Sequence, residues 1–162
     1  MVDSRKMFFV AGLLLLGVGA FWRPGAATVS DGRKEIEAFN KKYVELHLKM
    51  DTAGVLALWA EDGVDLMPGE APMIGKKTIV AWVEAIVSKM PGYKMEKEEM
   101  EFHDIQVSGD WASEWATEHQ VVRPPDGKPP IEGYGKMALV LHREASGEWK
   151  VKQEMWNAAP RP

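Results

Sequence analysis

The segment from Tyr43 to Gly75 constrains this chain more than any other. It reads as the end of one helix, a short second helix, an acidic turn, and a tight hairpin opening on Met67-Pro68-Gly69. Upstream, Ser30-Asp31 is a candidate N-cap. Ile36, Phe39, Tyr43, Leu46 and Met50 then recur at three- and four-residue spacing, the stripe of an amphipathic helix of about five turns. Asp51-Thr52 caps a shorter helix over Ala53 to Ala60, closed by Glu61-Asp62-Gly63. Val64 to Met67 reads as a strand, Pro68 to Pro72 as a turn, and Met73-Ile74 as a short return strand.

Lys76 to Met90 forms a third helical pattern, with Ile79, Trp82, Val83, Ile86 and Val87 on one face, and Pro91-Gly92 stops it. The period then changes to two. Four strand patterns follow, over Tyr93 to Val107, Trp111 to Val122, Ile131 to Arg143 and Glu148 to Asn157. Helices first and a long antiparallel sheet afterwards imply an α+β fold and exclude an alternating parallel one. No repeat or linker divides the chain, so residues 28–162 are expected to form a single domain.

Residues 1–27 have a different character. Arg5 and Lys6 precede an apolar run from Met7 to Trp22, followed by Arg23, Pro24 and small residues. This is the order of a secretory signal. The run of about 16 residues is short for a permanent span, so an uncleaved anchor is the alternative, and membrane association is expected only through such a leader. The expected location is periplasmic or extracellular. With no cysteine in the chain, disulfides, thiol nucleophiles and lipid attachment through a thiol are excluded. A net charge of −4 with interleaved signs excludes a nucleic-acid surface.

Strand alternation supplies the candidate site residues. On the second strand, Trp111, Ser113, Trp115, Thr117, His119 and Val121 share a face. The glutamates opposite them point to solvent or a dimer partner, so His119 is expected to face inward beside Trp115. On the last strand Trp149, Val151, Gln153, Met155 and Asn157 form the apolar, inner face. Met137, Leu139 and Leu141 give the third strand an apolar wall. Glu96, Glu98, Glu99 and Glu101 read as a solvated strand surface. An inward histidine can act as general base or acid, although a hydrogen-bonded core role is the commoner fate of such a residue. The four histidines have no ligand spacing, and there is no phosphate loop or GxSxG turn. No metal or cofactor is expected.

The Tyr43 helix, LALWAEDGVDLMPGEAPMIGKKTIVAWV, the SGDWASEW strand entry and ALVLHREASGEWKVKQEMWN follow one another in an order that resembles the nuclear-transport-factor-2-like superfamily, within it the SnoaL-like and ketosteroid-isomerase-like proteins. The resemblance covers about residues 33–158. It implies a cone-shaped roll, three N-terminal helices on a curved, mostly antiparallel sheet, and frequent homodimerisation through that sheet. Ketosteroid isomerases use a tyrosine on the first helix, an aspartate beside the hairpin proline and a second, protonated acid on a later strand. Here these positions carry Tyr43, Met67 and, near the third, Leu139. Two of the three groups are absent, so that mechanism does not transfer. Asp65 is expected near the mouth or the strand start.

Three readings follow. The first is an exported domain binding a small hydrophobic or aromatic molecule, its cavity lined by Trp59, Met67, Trp82, Trp115, Met137, Leu139, Gln153, Met155 and Asn157. The second is an isomerase, cyclase or lyase with His119 as base and Tyr43 as hydrogen-bond donor. The third is a structural dimer whose cone is filled by its own side chains.

Overall fold

The structure, a computed structural model, describes residues 29–162; the leader expected over residues 1–27 lies outside the described residues. Three helices, α1 (Val29–Leu48), α2 (Thr52–Ala57) and α3 (Lys76–Val87), pack on a six-stranded sheet. The strands are β1 (Trp59–Leu66), β2 (Met73–Ile74), β3 (Lys94–Ser108), β4 (Trp111–Arg123), β5 (Ile131–Arg143) and β6 (Trp149–Ala158). Their spatial order is β2-β1-β6-β5-β4-β3. All neighbours are antiparallel except β1 and β6, which run parallel. This is the expected α+β cone. Among the described residues no helix is long and apolar enough to cross a membrane.

The α1 stripe does what its spacing requires: Ile36, Phe39 and Tyr43 are buried, and the helix packs on β3. Ile79 of α3, Leu139 and Leu141 of β5 and Val151 of β6 complete the centre of the core. Burying each such side chain contributes about 1.5–3 kcal/mol. Asp51 caps α2, its carboxylate accepting from the Gly54 amide at 2.9 Å.

The second helix is shorter than its pattern suggested. Trp59 through Leu66 is strand, including Glu61-Asp62-Gly63, which was expected to close a helix. Pairing with β6, with Trp59 opposite Val151 and Asp65 opposite Glu154, overrides the local preference.

The direction of the side chains differs more. On β4 the buried positions are Ala112, Glu114, Ala116, Glu118 and Val122, while Trp111 and Trp115 are 47% and 41% exposed. The expected faces are therefore reversed along this strand. Ala112 and Ala116 join the buried core here. The glutamates between the alanines find polar partners inside, and the tryptophans spread across the outer surface.

On β6 the face changes partway. Leu141 pairs with Val151 but Val140 with Gln153, leaving Lys152 as an extra residue. Such a bulge shifts the alternation by one. Trp149 and Val151 point inward as expected. Beyond the bulge Glu154 and Trp156 turn to the helices, and Gln153, Met155 and Asn157 are exposed. A second bulge on β3, between His103 and Gln106, puts Asp104 at a φ of 49°, where its carboxylate accepts from the Trp115 indole at 2.8 Å.

Candidate functional site

Tyr43 and His47 lie one turn apart on α1, so both reach the same face. That face looks onto the inner residues of β3 to β6, where a cavity of about 240 Å³ opens. Met67, Met100, Met137 and Trp156 form its apolar wall. Tyr43, His47, Glu118, Gln120 and Glu154 form its polar end, and among the described residues no lysine or arginine lines it.

The carboxyls sit where cross-strand register brings them. Glu154 is opposite Asp65 on the parallel pair, and the Tyr43 hydroxyl donates to Glu154 Oε2 at 3.0 Å. Glu118 accepts from the Trp156 indole at 2.7 Å. That bond crosses β5 above Gly135, where a Cβ would stand 2.5 Å from Trp156 Nε1 and closer still to Glu118. The missing side chain at Gly135 thus permits the contact. Glu98, inward on β3, is buried near Glu118, and its Oε1 has no hydrogen-bond partner.

Burial without a cation governs these acids. Asp65, 4% exposed, rises to about 6 because it is desolvated, and its Oδ1 has no partner. Glu154 rises to about 8, from burial first and then the nearby Asp65 charge. Glu98 also rises to about 8, from burial and then Glu118. Tyr43 is pushed well above its usual 10 by burial and by Glu154. An ionised carboxylate in such a place costs several kcal/mol unless paired, so at neutral pH Glu154 and Glu98 hold protons and can donate hydrogen bonds. His47 is pushed below its usual value, mainly by burial, and its Nδ1 meets the Tyr43 carbonyl at 2.8 Å.

A separate buried pair ties α1 to β4. Asn40 Nδ2 donates to Glu114 Oε2 at 2.8 Å. Burial raises Glu114 to about 7, and Asn40 Oδ1 and Glu114 Oε1 are left without partners.

Of the residues singled out by sequence, the structure brings Tyr43, Met67 and Met137 to the cavity. Trp59 and Leu139 are in the core, and Trp82 packs partly against it. His119 lies on the outer face, contrary to expectation. Its Nε2 is 2.8 Å from Glu132 Oε1, and its ring stacks on Tyr134 at 4.4 Å. Trp115, Met155 and Asn157 border a shallow outer hollow instead of the cone, and Gln153 is exposed. Asp65 is enclosed, not at the mouth. Glu98, read as solvated, is interior.

Sequence reasoning missed Glu118, Glu154, Trp156 and His47. The signal for Glu118 was its alternation with Ala112 and Ala116, small residues that mark a face under helices. For His47 it was the i, i+4 spacing from Tyr43. Glu154 and Trp156 had none, since a bulge leaves no mark in residue type.

Comparison with known proteins agrees with the architecture. A family model described as SnoaL-like domain matches residues 28–153. No curated protein matches the sequence. Among solved structures, a ketosteroid isomerase-like protein from Erwinia carotovora atroseptica superposes with a TM-score of 0.66 at 21% identity, covering 79% of this chain and 96% of that one. A conserved protein from Planctomyces limnophilus gives 0.67 at 22%, over 79% and 98%. ActVI-ORFA from Streptomyces coelicolor gives 0.61 at 19%, over 78% and 96%. At these identities the likeness is one of fold.

Proposed function

The chain belongs to the SnoaL-like domain family, and on that premise we propose that its inner cavity binds a small, largely apolar molecule carrying a carbonyl or hydroxyl oxygen. The observation that carries this reading is Glu154: a buried carboxyl, held in its acid form and hydrogen-bonded to Tyr43, at the polar end of a chamber walled by three methionines. A neutral carboxyl offers a proton to a ligand oxygen without the cost of burying a charge. Methionine adapts to the ligand's shape. A volume of about 240 Å³ falls just below the usual range for drug-sized ligands, so a single ring with its substituents suits it.

A second reading is supported by the pairing of Asp65 with Glu154. Two facing acids raised to about 6 and about 8 are suited to proton transfer, with Glu154 at the cavity exchanging a proton with the ligand and Asp65 behind it setting its charge. That is isomerase or lyase chemistry, with these carboxyls in the place given to His119 by sequence. The names of the structural neighbours add fold-level analogy only.

The apolar leader supports export of the domain. The outer sheet face, with Trp111, Trp115 and Met155 exposed, supports a second copy of the chain as partner. Binding is tested by a thermal-shift screen with small aromatic ketones and phenols. A ligand at 100 times its Kd should stabilise the fold by about 2.7 kcal/mol and quench Trp156. A Met137→Trp variant, which fills the chamber, should respond to none of them. Equal responses from both proteins would place binding elsewhere and refute the reading.

A further inference from the structure

The imidazole at the polar end of the cavity is the group that the carboxyl chemistry leaves unused. His47 Nδ1 is 2.8 Å from the Tyr43 carbonyl oxygen. A carbonyl oxygen only accepts, so the ring proton must sit on Nδ1. In the neutral ring Nε2 then carries a bare lone pair. The Tyr43 ring, 4.2 Å away between centroids, holds the imidazole in place. Several of the other cavity groups already have partners. The Tyr43 hydroxyl is engaged with Glu154 and Glu118 is engaged with Trp156, and Gln120 is an amide, a much weaker base than imidazole.

We propose that His47 Nε2 is the ligand-facing proton acceptor of this cavity, and that the ligand therefore carries a hydroxyl, phenolic or enolic, directed at it. The hydroxyl hydrogen points to Nε2, and the same oxygen accepts from the neutral carboxyl end. An apolar ring then fills the space between Met67, Met100 and Met137. A purely acceptor ligand, such as a simple ether, displaces water from that nitrogen without offering it a donor, a loss of about 1–3 kcal/mol. This inference rests on the binding reading above and narrows it to one ligand chemistry.

The test uses the full chain with 15N-labelled histidine and two probes of equal shape, phenol and toluene. Without a probe, His47 should show a protonated Nδ1 and an unprotonated Nε2. Both probes should quench Trp156, but only phenol should shift the Nε2 resonance. His47→Phe, which keeps an aromatic ring against Tyr43, should lose roughly tenfold in phenol affinity and keep that for toluene, the effect of about 1.4 kcal/mol. A proton found on Nε2, or bound phenol that leaves the Nε2 resonance unmoved, overturns the acceptor role while binding itself stands. If neither probe binds, both readings fall.

Discussion

Replacing Glu154 by glutamine should make the protein more stable at high pH and leave it nearly unchanged at low pH. The carboxyl titrates at about 8 in the folded chain against an ordinary 4.5. Its folded value is the higher one, so the native state binds the proton more tightly. The stabilisation is complete below pH 4.5 and is lost as pH rises through 8. At about 1.4 kcal/mol per pH unit, the whole interval is on the order of 5 kcal/mol, comparable with the total stability of many domains. Glutamine has the same shape and never ionises, and its carbonyl still accepts from Tyr43. Urea denaturation of both proteins between pH 5 and pH 9 measures the difference. At pH 5 the curves should agree to within about 1 kcal/mol; at pH 9 the variant should be ahead by several, or roughly 10 °C in Tm. Parallel decline of both proteins across the range would show that Glu154 ionises freely, and the argument for a neutral carboxyl in the chamber would fail.

The other expectations concern neighbouring features. Gly135→Ala should push Glu118 and Trp156 apart, costing about 1–3 kcal/mol in chemical denaturation and changing Trp156 emission. Asn40→Ala removes the amide that Glu114 accepts from inside the core, and should lower stability by about 1–3 kcal/mol, more at pH 8 than at pH 6, because Glu114 titrates at about 7. If the outer sheet face joins two copies, gel filtration should give a dimer, and Trp115→Lys should give a monomer with unchanged circular dichroism; a wild-type monomer contradicts that proposal.

The order of elements was legible because periodicity is local: the α1 stripe, the return strand at Met73-Ile74 and the start of α3 at Lys76 each depend on neighbours in sequence. The facing of β4 was not. Charge suggested that Glu114 and Glu118 lay outside, but Asn40 and Trp156, 74 and 38 residues away, supply their partners. The facing of β6 failed for a different reason. Its inner residues are set by the unpaired Lys152, and Lys152 resembles any other exposed strand lysine. Tyr43 was found because the resemblance pointed to the first helix. The partner it needed, Glu154, could be recognised only after the bulge had been placed.

The position of β6 has a consequence for assembly. The last strand in chain order lies between β1 and β5, so the hairpin β1–β2 and the meander β3–β5 share no hydrogen-bonded border until it arrives. Before then each piece exposes an open edge to other chains, and contacts so distant in sequence close slowly. Loss of the ten residues of β6 would therefore split the sheet into two unconnected parts, and the Tyr43 hydroxyl would lose its carboxyl partner in the same event.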